Sequence, residues 1–225
     1  MKDKEKLAWI IGLTFLAGGS NVAAIIMSGL TVSHYTGALS YSAIALGEAN
    51  WPVLLTLTLT IVLFFLGSVL AGYLFHSDQS EQSKLHCILP LLFGITLMVI
   101  GFFFNVAYLP ILSFGMGLQN GSTFQYEGIR VRTTHITGHL SDAARSLGRI
   151  LRGNRSEQKL MQFYFSSTLS YFFGAVVAAV LTLRFGALSF IFLGLAYLIM
   201  GITLALILFS RTLNQSESVD EHQAF

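Results

Sequence analysis

The chain has 225 residues, of which 54% are hydrophobic and 11% charged, and its 13 Lys and Arg against 11 Asp and Glu leave a net charge of +2. A soluble domain carries roughly 25% charged residues, so this composition, with a mean hydropathy of +0.68, excludes an ordinary water-soluble domain and puts the chain in a membrane. So small a net charge gives no electrostatic footprint for nucleic acid, and the single cysteine, Cys87, excludes an intramolecular disulfide.

In chain order, residues 8–30 form the first uncharged apolar run and 51–75 the second. Both exceed the roughly 20 residues that a helix needs to cross a bilayer core. The first run is too long for a signal peptide and lacks a small-x-small end, so it is expected to persist as a span. Residues 85–126 contain no Asp, Glu, Lys or Arg. That stretch is too long for one span and suits two joined by a tight turn near 105–110. Residues 161–183 and 186–210 complete a predicted set of six spans. After Arg211 the polar segment with Glu217, Asp220 and Glu221 is expected to be disordered.

The chain also repeats itself. SHYTGALSYSAIALG at 33–47 returns as THITGHLSDAARSLG at 134–148, with eight identical positions at a constant offset of 101. Upstream, GGSN at 18–21 aligns with GLQN at 117–120; downstream, Gly67, Ala71, Gly94 and Gly101 align with Gly174, Ala178, Gly194 and Gly201. Such self-similarity predicts two copies of one unit. The expected units are a three-span repeat at 1–105 and another at 106–210, followed by a tail at 211–225. Three spans per copy is an odd number, so the second copy must enter from the opposite side as an inverted repeat. The predicted fold is therefore an all-α integral membrane protein of six transmembrane helices, with a short half-helix after the His-x-Thr-Gly turn of each repeat.

Charge placement predicts orientation. With the N-terminus inside, Lys2, Lys4, Lys6, Lys84, Arg130, Arg132, Arg145, Arg149, Arg152, Arg155, Lys159 and Arg211 all fall on the cytoplasmic side and only Arg184 outside. Both termini are then cytoplasmic, in a bacterial inner membrane.

In each copy the threonine of the turn, Thr36 or Thr137, precedes apolar residues at helical spacing and is expected to cap the short helix. Helix N-termini carry unpaired N–H groups and partial positive charge, which suits a small solute bearing an anion or carbonyl. Gly37 and Gly138 would let backbone approach such a ligand closely. In inverted-repeat transporters the site lies near the midplane at the repeat interface, so His34, Thr36, Gly37, His135, Thr137 and Gly138 are candidate substrate contacts. Asn21 and Asn120, amides inside uncharged spans, join them, with Gln119 beside Asn120. The competing reading makes both turns surface loops leading into interfacial helices. It is stronger in the second copy, where Arg145, Arg149 and Arg152 line up opposite Leu140, Ala144, Leu147 and Leu151.

Gly67 with Ala71 and Gly174 with Ala178 form small-x-x-x-small faces for helix packing or a homodimer contact. No Asp, Glu, Lys or Arg falls within a predicted span, so His34, His135 and His139 are the titratable candidates near the turns. The sequence shows no nucleophile–base–orienter set, phosphate loop or metal-ligand cluster, and enzyme activity, a metal and a cofactor are all unexpected.

The glycine-rich first span, the SHYTG turn, the GMGLQN stretch and the TTHITG turn together resemble the YoaK-like family of six-span bacterial inner-membrane proteins, a domain of unknown function. The resemblance covers nearly the full length and implies a fold and a location, without a substrate. The family pattern places Asp at the position of Asn21 and Asn after the first Thr-Gly, where this chain has Ala38. The expected function is a small-solute transporter or permease, with a passive channel or a non-transporting membrane scaffold as the alternatives.

Overall fold

A computed structural model of the chain describes residues 3–75 and 85–223. Lys2 and Lys84 of the cationic set lie outside the described residues. The elements are α1 (Asp3–Ser28), α2 (Tyr35–Gly47), α3 (Trp51–Leu74), α4 (Leu85–Phe102), α5 (Leu109–Gly121), α6 (Ile136–Leu151), α7 (Gln158–Phe185) and α8 (Ser189–Gln223), with single 3-10 turns before α5, α7 and α8.

Four stretches among the described residues are long and apolar enough to cross a membrane: Lys4–Ser28, Trp51–Leu74, Leu85–Phe102 and Arg155–Arg211. The last contains two 3-10 turns, α7 and most of α8. The fourth predicted span is shorter than its uncharged run suggests. After α4, Asn105 caps a 3-10 turn by accepting from the Ala107 amide at 2.9 Å, and Pro110 opens α5. Only 13 residues of helix follow, about 20 Å long against a hydrocarbon core of about 30 Å. α8 continues to Gln223 across the polar segment expected to be disordered, where neither glycine nor proline interrupts it.

The all-α expectation needs one correction, an antiparallel hairpin that pairs Phe124 with Val131 and Tyr126 with Ile129. Its two turn residues, Glu127 and Gly128, have φ of 48° and 76°, the left-handed pair that a two-residue hairpin loop requires. Buried Phe124 anchors it, edge-to-face on Trp9 of α1 with ring centroids 5.0 Å apart.

The helices pair across the halves of the chain. α1 lies on α7, α5 on α3, and α4 on α8, while α2 packs on α3 and α6 on α7. Each pairing has its counterpart in the register of the duplication, and glycines set the approach. A Cβ on Gly18 would collide with the Tyr171 carbonyl, and one on the aligned Gly117 with the Phe64 carbonyl. Gly174 and Gly67 meet the Phe15 and Phe114 carbonyls in the same way. Where α4 crosses α8, a Cβ on Gly94 would sit 2.7 Å from the Gly194 carbonyl oxygen, and one on Gly194 would sit 2.5 Å from that of Gly94. The small-residue faces are thus consumed inside one chain, where close backbone approach replaces the hydrophobic drive that lipid does not supply.

Candidate functional site

One side chain of α1 makes three of the hydrogen bonds that hold the segment between α1 and α2. Oδ1 of Asn21, buried in α1, accepts from the Thr31 hydroxyl at 2.8 Å and from the Val32 and Ser33 amides at 3.1 and 3.2 Å. Thr31 Oγ1 in turn accepts from the His34 amide at 3.1 Å. In the second half, the Thr134 hydroxyl donates to Asn120 Oδ1 at 2.6 Å. Both asparagines therefore fix the chain just before a short helix.

Anchored there, each helix starts two residues earlier than expected. The first i to i−4 bonds run from the Ala38 amide to the His34 carbonyl at 3.2 Å and from the His139 amide to the His135 carbonyl at 3.1 Å. His34 and His135 hold the cap positions, and neither side chain bonds the helix backbone as a cap. This corrects the expected capping role of Thr36 and Thr137, whose side chains stand in the first turn, exposed.

The two turns, a hundred residues apart in sequence, line a single cavity of about 820 Å³. Its wall includes His34, Thr36 and Gly37 from one turn, His135, Thr137 and Gly138 from the other, and both Asn21 and Asn120. Tyr35, Tyr41, Phe64 and Tyr171 add aromatic surface, and the Tyr171 hydroxyl lies 3.5 Å from Ser33 Oγ. Among the described residues, no Asp, Glu, Lys or Arg lines it. Phe64 and Tyr171 escaped the sequence reading, although each stands three residues before a matched glycine, Gly67 or Gly174. The arrangement offers hydroxyls, imidazoles, first-turn amides and ring faces to a solute.

Gln119 lies elsewhere. It is buried in the wall of a separate apolar cavity of about 180 Å³. Its amide nitrogen donates to the Leu13 carbonyl at 3.2 Å and to Thr133 Oγ1 at 2.9 Å, and its oxygen accepts from the Tyr197 hydroxyl at 2.8 Å. These bonds tie α5 to α1, α8 and the segment before α6.

The halves also differ directly after each Thr-Gly, at a buried position. Where the first has Ala38, the second has His139, 4% exposed, with Nδ1 and Ser167 Oγ hydrogen-bonded at 2.9 Å. Burial, reinforced by His135 6.4 Å away between ring centroids, pushes its imidazole down from 6.5 to about 4, while Asp142 acts in the opposite direction.

Residues 9–206 match the family described as a protein of unknown function (DUF1275). A similar protein is the UPF0700 transmembrane protein RA0705 of Rhizobium meliloti (strain 1021), 41% identical over 78 residues, which are 35% of this chain and 34% of that protein. The alignment thus spans about a third of the relative's length. No solved structure matches.

Proposed function

We propose that this chain, which belongs to the DUF1275 family and is a membrane protein, is a permease for a small polar or anionic solute, with its site in the chamber shared by the two His-x-Thr-Gly turns. The observation carrying the reading is that residues matched by the duplication, from both halves, converge on one cavity. A plain helical bundle with two surface loops has no need of that convergence. The symmetric pairing of α1 with α7 and α5 with α3 supports an inverted repeat, in which a short α5 contributes the fourth crossing. Such repeats place their site between the halves. Irregular backbone at membrane depth is tolerated where it lines a wet cavity, which is how both loops before α2 and α6 would be accommodated. The charge asymmetry supports both termini lying in the cytoplasm of a bacterial inner membrane; fusions after Glu48 and Asn105 should then report from the periplasm and a fusion after Arg152 from the cytoplasm.

A passive channel is the second reading, favoured by a lining without carboxylates that could carry a coupling proton. Purified protein in proteoliposomes, assayed with a panel of small neutral and anionic solutes chosen from metabolite profiles of cells lacking or overproducing it, separates the two. Saturable flux that one solute blocks for its own analogue supports the carrier, and flux linear in concentration supports the channel. Unchanged profiles together with proteoliposomes as tight as empty ones would overturn both.

A further inference from the structure

α6 divides into three stripes. At about 100° per residue, His139, Ala143, Ser146 and Ile150 fall on one side, and the first three of these are buried while Ile150 is half-buried, as the helix packs on α7. Leu140, Ala144, Leu147 and Leu151 lie about 100° round in one direction. All four are exposed, with Leu140 at 56% and Leu151 at 79%. Arg145, Arg149 and Arg152 lie about as far round in the other direction, also exposed.

This division belongs to the second half alone. In α2 the positions aligned with Arg145 and Arg149 are Ile44 and Glu48, and that helix carries no basic residue. α6 is also outside the four stretches able to cross a membrane. A helix pressed to a bundle on one side, with an apolar flank and a cationic flank, is satisfied where hydrocarbon meets headgroups. Of the three arginines, Arg149 is committed to Glu157 at 2.6 Å, and Glu157 also accepts from Ser146. That clasp holds the C-terminal end of α6 to the start of α7. Among the described residues Arg145 pairs with Asp142 at 3.3 Å, an exposed ion pair that solvent screens.

We propose that α6 is a docking face for anionic phospholipid, with Leu140, Leu147 and Leu151 in the acyl region and Arg145 and Arg152 on the headgroup phosphates. Charge complementarity selects the occupant, because an apolar flank alone would accept any lipid and arginines alone any anion. Together they select a lipid with a net negative headgroup. The proposal places the exposed flanks of α6 at the interface while its first turn still lines the chamber, and its test reads lipid preference and not flux.

The test places a fluorophore at Gly148→Cys in a Cys87→Ser background. Gly148 faces open space between the two flanks. The full chain is reconstituted in phosphatidylcholine bilayers doped with spin-labelled phosphatidylglycerol or spin-labelled phosphatidylcholine, and quenching is compared. Phosphatidylglycerol should quench preferentially, and added salt should weaken the preference. Arg145→Gln with Arg152→Gln should reduce that preference roughly thirtyfold, about a factor of five per arginine, while Lys at both positions should restore most of it. Since the Arg149–Glu157 clasp is untouched, these variants keep α6 in place. Equal quenching by the two lipids, a preference that survives the double variant, or no quenching by either lipid would each overturn the proposal.

Discussion

Thr134 donates a 2.6 Å hydrogen bond to Asn120, the counterpart of the bond that Thr31 donates to Asn21. The two asparagines are not equally burdened, because Asn21 also accepts from two backbone amides, one of them the buried Val32. Asn21→Ala strands that amide and should cost about 1–3 kcal/mol, more than Asn120→Ala, while Asn21→Asp keeps an acceptor and most of the stability. Thermal unfolding in detergent ranks the three, and a larger loss at Asn120 would contradict the geometry.

Thr36→Val and Thr137→Val remove hydroxyls that project into the chamber and cap nothing. Each should change stability by less than about 0.5 kcal/mol and lower flux per folded molecule severalfold. Loss of folded protein with unchanged specific flux would return both residues to a purely structural role.

Cysteines at Thr36 and Thr137, with Cys87→Ser, border one cavity. A short bifunctional thiol reagent should join them, and a transported solute should slow labelling of both by a polar maleimide. Independent labelling at each position, indifferent to solute and never joined, would place the turns on separate surfaces.

Buried His139 makes stability depend on pH. Its imidazole titrates near 4 when folded and near 6.5 when unfolded, so the unfolded chain binds the proton first on acidification. Stability should be flat above about pH 6.5 and fall towards pH 4, by on the order of 3 kcal/mol in total. His139→Asn should flatten that dependence in melts across the window; an unaltered slope would assign it to another group.

Gly174→Ala drives a methyl into the Phe15 carbonyl and Gly67→Ala one into the Phe114 carbonyl. Backbone cannot step aside as a side chain does, so each should cost about 1–3 kcal/mol or more. Gly72→Ala, with open space around it, should cost nothing. Melting temperatures of the three variants check the contrast.

The duplication made the pairing of the two turns legible, because Thr-Gly and the flanking glycines recur in one register. Helix starts were less legible. Thr36 has the right chemistry for a cap, but Asn21, far back in the chain, fixes residues 31–33 and starts the helix early. Gln119 and Asn120 look alike in sequence, yet neighbours on a helix point about 100° apart, so one borders the chamber and the other knits α5 to α1 and α8. The hairpin's three-residue strands carry too little alternation to register, and Glu-Gly between Tyr126 and Ile129 was its only local sign. The turn near 105–110 was legible, but counting uncharged residues overstated α5, since the run continues past Gly121 through Ser122 and Thr123 into the hairpin.

The cross-paired helices also order events during synthesis. α1 leaves the ribosome first, but the helix that fits against Gly18 is α7, which follows only after α2 to α6 have been made, and Gly19 meets Leu193 of α8 as well. Until then the glycine groove of α1 faces lipid with backbone carbonyls close to its surface, and α3 waits in the same way for α5. A nascent chain arrested after α4 would hold helices whose best partners do not yet exist, making it a ready substrate for membrane quality-control proteases. Only with α7 and then α8 complete do α1 and α4 both have the helices they pair with, so the last two helices close the fold.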